Sequence, residues 1–115
     1  MEAALLETNP IVDGYIIQPV WYNHTFWYYY KNGEFFCETN ASKVIPQNVY
    51  FSSNVSEEVK TLPIAKYNQI NIIADMANDQ EKERLLNQNL SNIAFEHKKT
   101  IFINKTSVLI QYVKQ

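Results

Sequence analysis

The segment Thr25-Phe26-Trp27-Tyr28-Tyr29-Tyr30-Lys31-Asn32-Gly33-Glu34-Phe35-Phe36-Cys37-Glu38-Thr39 sets a run of aromatic residues on either side of Asn32-Gly33. Asn and Gly tolerate the positive φ of a type I′ turn, so the pair predicts a two-residue β-hairpin. Aromatic residues on both arms suit the pleated surface of strands. The turn then fixes the register. Lys31 faces Glu34, Tyr30 faces Phe35, Tyr29 faces Phe36, Tyr28 faces Cys37 and Trp27 faces Glu38. Side chains alternate along a strand, so two faces separate. Phe26, Tyr28, Tyr30, Phe35, Cys37 and Thr39 form a nearly apolar face, expected to meet helices and to bury Cys37. Trp27, Tyr29, Lys31, Glu34, Phe36 and Glu38 form the other, where aromatics stand beside charges. That mixture is typical of recognition surfaces, and these six residues are the candidate partner-binding site. The competing reading is cross-strand aromatic pairing that stabilises the sheet and binds nothing.

Outward from the hairpin, residues 11–21 read as a first strand, with Gly14 as a bulge and Pro19 favouring an edge. Residues 40–47 form a loop, and Val49-Tyr50-Phe51 a further short strand. Residues 52–62 are a polar connection in which Ser56 caps a turn and Pro63 stops a longer helix. The period then changes. Ile72, Ile73, Met76, Leu85, Leu86, Leu90, Ile93 and Ala94 recur at helical spacing. Asp79 and Glu83 break any single stripe, and Asn78 followed by Glu81 resembles a capping box. Two helices are therefore expected, 64–77 and 79–97. Residues 100–104 and 107–113 close the chain as a pair of strands turning at Asn104-Lys105-Thr106, or as one long strand. The expected architecture is a single α+β domain over residues 1–115. Its mostly antiparallel sheet, an N-terminal aromatic hairpin or meander plus C-terminal strands, would pack against two helices.

Composition bounds the function. The chain has 115 residues, 46% of them hydrophobic, and a net charge of -2. A real core is within reach, and the weakly acidic balance argues against a nucleic-acid partner, which needs a basic footprint. Cys37 is the sole cysteine, so no internal disulfide framework exists. The N-terminal Met1-Glu2-Ala3-Ala4-Leu5-Leu6-Glu7 lacks the basic and apolar regions of a signal peptide. No run reaches the length of a membrane span. A cytoplasmic protein is expected, in the host cytoplasm if viral. Five N-x-S/T patterns, at Asn23, Asn40, Asn54, Asn89 and Asn104, read as compositional coincidence, since Asn89 falls in mid-helix.

No motif for catalysis stands out. The two glycines, Gly14 and Gly33, exclude phosphate-cradling loops. His24 and His97, with Cys37, Asp13 and Glu38, show no recognised metal-ligand spacing, so neither metal nor cofactor is expected. His97 reads as part of the last turn of a helix, beside Lys98 and Lys99. A helix-turn-helix reading of 64–77 and 79–97, with Arg84, Asn87, Gln88 and Asn89 reaching bases, is opposed by Asp79, Glu81 and Glu83 at the end that would approach phosphates. The stretch from Trp21 to Gly33 resembles one repeat of the choline-binding cell-wall type. Such repeats act as stacked arrays, and one copy implies neither that ligand nor that fold.

The composition, rich in Asn, Ile, Tyr and Lys, suits a phage or other mobile element. The expectation is a small non-enzymatic protein-binding module, an inhibitor or adaptor that occludes a partner surface. The alternatives are a structural subunit of a viral or phage particle, homo-oligomeric through Leu86, Leu90 and Ile93, and a small enzyme with a site dispersed over Asp13, His24, Glu38 and His97.

Overall fold

The computed structural model describes residues 8, 9, 12–18 and 48–115. The expected hairpin lies outside them, and with it Cys37, His24 and all six residues Trp27, Tyr29, Lys31, Glu34, Phe36 and Glu38.

The described chain forms β1 (Gly14–Ile17), β2 (Val49–Phe51), a one-turn helix α1 (Val55–Glu58), β3 (Gln69–Ala74), α2 (Gln80–Ser91), β4 (Phe95–Phe102) and β5 (Val108–Lys114). The five strands make one sheet in the order β2-β1-β3-β5-β4. The class is α+β, but the sheet is mixed and not mostly antiparallel. β1 runs parallel to both β2 and β3, while β5 runs antiparallel to β3 and β4. Parallel neighbours need a long crossover, and both connections here are long: residues 18–48, then residues 52–68 through α1. Alternation of side chains marks a strand but carries no record of its direction.

The helix expected over 64–77 is instead β3 and the turns that precede it. Ile70, Asn71, Ile72 and Ile73 are fully buried. A strand covered on both faces reads as an almost continuous apolar run, and β-branched isoleucines favour it. The helical spacing of Ile72 and Met76 is incidental, because Met76 lies beyond the end of the strand. Without that first helix the helix-turn-helix reading falls. Asn87 and Asn89 also turn to the protein: Asn87 Oδ1 accepts from the Tyr112 hydroxyl, and Asn89 is buried.

α2 begins where expected and ends early. Asp79, rather than Asn78, is its cap, accepting from the Lys82 N–H at 3.1 Å. After Ser91 the chain turns through Asn92 to Ala94, whose φ of 70° is left-handed, and enters β4. His97 therefore stands on a strand and not in a last helical turn. The closing hairpin turns at Asn104-Lys105-Thr106 as expected. Asn104 Oδ1 accepts from the Thr106 and Ser107 N–H groups, each at 2.9 Å.

The core has two parts, one on each sheet face. Ile16, Ile70, Ile72, Ile110 and Tyr112 pack with Val55, Val59, Ile64, Leu86 and Leu90 beneath the helices. Tyr15, Ile17, Val49, Ile73 and Leu109 cluster on the opposite face. Ser56 does not cap α1, whose N-cap is Asn54. It joins the helices instead: its hydroxyl donates to the Lys82 carbonyl at 2.9 Å, and Asn89 Nδ2 donates to the Ser56 carbonyl at 2.6 Å. Gly14 is no bulge, since β1 keeps unbroken register on both sides. It leaves room for Tyr67, because a Cβ there would lie 2.8 Å from Tyr67 Cδ2.

Candidate functional site

The densest gathering of polar side chains lies on the second face, at the amino-terminal ends of β1 and β3. Asp13, directly before β1, is buried. Its Oδ2 accepts from the Asn9 N–H at 2.9 Å, Gln69 Nε2 at 3.1 Å and Asn71 Nδ2 at 3.0 Å. Asn71 Oδ1 accepts in turn from Gln69 Nε2 at 3.1 Å and Gln111 Nε2 at 3.2 Å. Lys98 Nζ reaches Gln69 Oε1 at 3.2 Å, and Asn48 Nδ2 donates to the Asp13 carbonyl at 2.9 Å. β1, β3, β4 and β5 thus all meet in one hydrogen-bonded set. Buried polar groups need such partners, and these satisfy one another. The Asp13 carboxylate is thus engaged by one backbone and two side-chain amide donors.

Open sheets with parallel strands hold ligands beyond the carboxyl ends of those strands. At that end Gln18 Oε1 accepts from the Val55 N–H. The Ser52 hydroxyl donates to Glu58 and accepts from the Asn54 N–H at 3.1 Å. These bonds fasten α1 to the ends of β1 and β2. The Ser52 hydroxyl is thereby held by the Glu58 carboxylate and the Asn54 N–H.

Of the dispersed-enzyme residues, His24 and Glu38 lie outside the described residues, and Asp13 and His97 take separate partners. Asp13 belongs to the buried amide cluster. His97 is exposed on β4, where Nε2 lies 2.7 Å from Thr100 Oγ1 and the ring meets Tyr112 edge-on, centroids 5.7 Å apart. Arg84 is held by both oxygens of Glu81, at 2.9 and 2.8 Å. Among the described residues no cluster of three His, Cys, Asp or Glu could hold a metal ion. No helix among them is long and apolar enough to cross a membrane.

A tyrosine pair, Tyr50 and Tyr67, packs against the core on the helix side of the sheet. The Tyr50 and Tyr67 hydroxyls lie 3.2 Å apart, and burial, then this hydrogen bond, pushes the Tyr50 hydroxyl up to about 12. Burial, then Glu83, also pushes the Tyr112 hydroxyl up.

The surface feature that sequence reading missed is β4. With β2 it is one of the two edge strands among the described residues, residues 96–99 are all exposed, and Phe102 is 68% exposed. Its signal lay in Phe95-Glu96-His97-Lys98-Lys99-Thr100-Ile101-Phe102, a charged centre between apolar ends, the first three residues of which fall in the helix expected over 79–97. Asn71 and Gln111 were signalled as polar residues inside the apolar runs Ile70-Asn71-Ile72-Ile73 and Leu109-Ile110-Gln111-Tyr112. Comparison with family models, with curated proteins and with solved structures found nothing that matches this chain.

Proposed function

We propose that the chain is a non-enzymatic protein-binding module, an inhibitor or adaptor of a phage or other mobile element, that acts by covering or bridging a partner surface. The observation that carries this reading is β4, an outermost strand with Phe102 and its charged centre open to solvent. The buried amides about Asp13 are engaged with one another, whereas these are presented outward. The aromatic and charged residues Trp27, Tyr29, Lys31, Glu34, Phe36 and Glu38 supply the second contact region in this reading. An oligomeric particle subunit joined through Leu86, Leu90 and Ile93 is less well supported. Leu86 and Leu90 are fully buried within one chain, and Ile93 packs against the same cluster.

The test is capture of the partner by affinity pull-down with mass spectrometry, then calorimetry on the purified pair. Trp27→Ala is expected to weaken binding by more than about 2 kcal/mol while leaving the thermal melt in place. Unchanged affinity in a folded variant removes residues 27–38 from the contact surface. A collapsed melt shows that Trp27 belongs to the core.

A further inference from the structure

We propose that β4 is a docking edge for an extended, acidic strand of a partner protein, which adds to the sheet as a sixth strand. This rests on the protein-binding reading and names the chemistry of the partner.

The backbone argument comes from the ladder. In an antiparallel pair, residues alternate between those that bond the neighbouring strand and those that turn their N–H and C=O away. Ile103 N–H donates to the Ser107 carbonyl at 2.9 Å, so Ile101 and Lys99 point their backbone groups at β5. Thr100 and Phe102 point theirs out of the sheet. At the other end Gln115 N–H donates to the Ala94 carbonyl at 2.8 Å, which sets Glu96 inward and His97 outward. The register shift between His97 and Lys99 reconciles the two ends. His97, Thr100 and Phe102 thus offer a row of backbone donors and acceptors, and no strand lies beyond them among the described residues. Such a row is the template for strand addition.

Charge selects the occupant. Residues 95–115 carry Lys98, Lys99, Lys105 and Lys114 against Glu96 alone, in a chain of net charge -2. Basic residues are therefore concentrated on the β4–β5 hairpin. Lys98 and Lys99 lie at the middle of β4, on the face that Lys98 shares with Gln69. A strand laid along β4 meets these lysines on one face and Phe102 on the other. The fitting segment alternates acidic with apolar residues. A second copy fits poorly, since antiparallel pairing of two β4 strands would bring lysines against lysines.

The probe is a short labelled peptide alternating glutamate and valine, with lysine–valine and serine–valine peptides as controls. Fluorescence anisotropy gives affinity, and backbone amide exchange gives location. The expected result is that the glutamate peptide binds at least about tenfold more tightly than either control, less so at high salt. It should slow exchange at His97, Thr100 and Phe102. Thr100→Pro removes an outward N–H without touching the ladder to β5, and should abolish that protection. Lys98→Glu keeps the backbone and should reverse the preference toward the lysine peptide. It serves as the second variant if Thr100→Pro does not fold.

No binding by the glutamate peptide, or protection confined to other segments, overturns the proposal. A wild-type dimer by light scattering that Thr100→Pro dissociates overturns it in favour of a second copy. Tight binding of a single-stranded oligonucleotide at this edge, with none of the peptide, overturns it in favour of nucleic acid. A captured partner that Thr100→Pro and Lys98→Glu leave untouched, but Trp27→Ala releases, overturns the docking edge while the binding-module reading stands. If no partner is captured and the glutamate peptide does not bind, both fail.

Discussion

Gly14 illustrates how a single position can be fixed by its neighbours. It sits in β1 between two parallel strands, with the Tyr67 ring pressed against its Cα. An alanine Cβ would lie 2.8 Å from Tyr67 Cδ2 and 3.2 Å from Ile70 Cγ2. Inserting a methyl group into a filled space costs about 1–3 kcal/mol. Gly14→Ala should therefore lower the urea midpoint, and Tyr67→Leu in the same chain should return part of the loss. An unchanged midpoint for Gly14→Ala would mean that the Tyr67 ring swings aside freely. Ser107 is the opposite case, a buried residue whose hydroxyl has no partner. Its backbone is what the closing turn uses, since its carbonyl accepts from Ile103 and Asn104.

At the scale of elements, α2 is held by its inner face. Leu86 and Leu90 are fully buried against the sheet residues Ile70, Ile72, Ile110 and Tyr112. Leu90→Ala should cost about 2–5 kcal/mol, with the cavity adding to the lost transfer energy. Its oligomeric state should match that of the wild type. A stable variant that falls apart from an oligomer would show instead that Leu90 closes a seam between chains.

The same helix shows what the sequence discloses. Its start was legible because a polar cap precedes a helical-period stripe, and β2 was legible as a three-residue run bounded by polar residues. The end of α2 was not, because it depends on Ala94 taking a left-handed turn that alanine does not advertise. β3 was misread because a strand buried on both faces loses its alternation. The amide cluster was out of reach altogether: Asp13, Gln69 and Asn71 of β3, and Gln111 are far apart in sequence and meet only after three strands align.

For the molecule as a whole, alkaline pH should be the more telling stress. Tyr50 is raised from 10.0 to about 12, by burial first and the Tyr67 hydrogen bond second, and Tyr112 moves the same way. The unfolded chain ionises both at the ordinary value, so the folded state holds these protons more tightly. That contribution is complete below pH 10.0 and is lost as pH rises through about 12. The urea midpoint should fall across this window, and Tyr50→Phe with Tyr112→Phe should flatten the fall. A midpoint that holds level in the wild type would show that neither hydroxyl is shielded.

The strand order carries a consequence for how the chain assembles. From β3 to β5 every pairing is antiparallel and the segment is continuous, residues 69–114. β1 has only four residues, yet both its partners lie far along the chain, Val49–Phe51 on one side and Ile70 to Ile73 on the other. β2 touches the sheet through β1 alone. Distant contacts carry the greater loop-closure entropy, and the β1–β3 partners are 56 residues apart against 34 to 44 for β3–β5, so β1 is expected to join the carboxyl-terminal half late, with β2, which meets the sheet only through it. The last pieces to assemble are the first to come away when a fold opens locally. Native-state hydrogen exchange should find the β1 and β2 amides released together, well before those at the centre of β3 and β5, and release in the reverse order would mean that folding is seeded at the amino-terminal end.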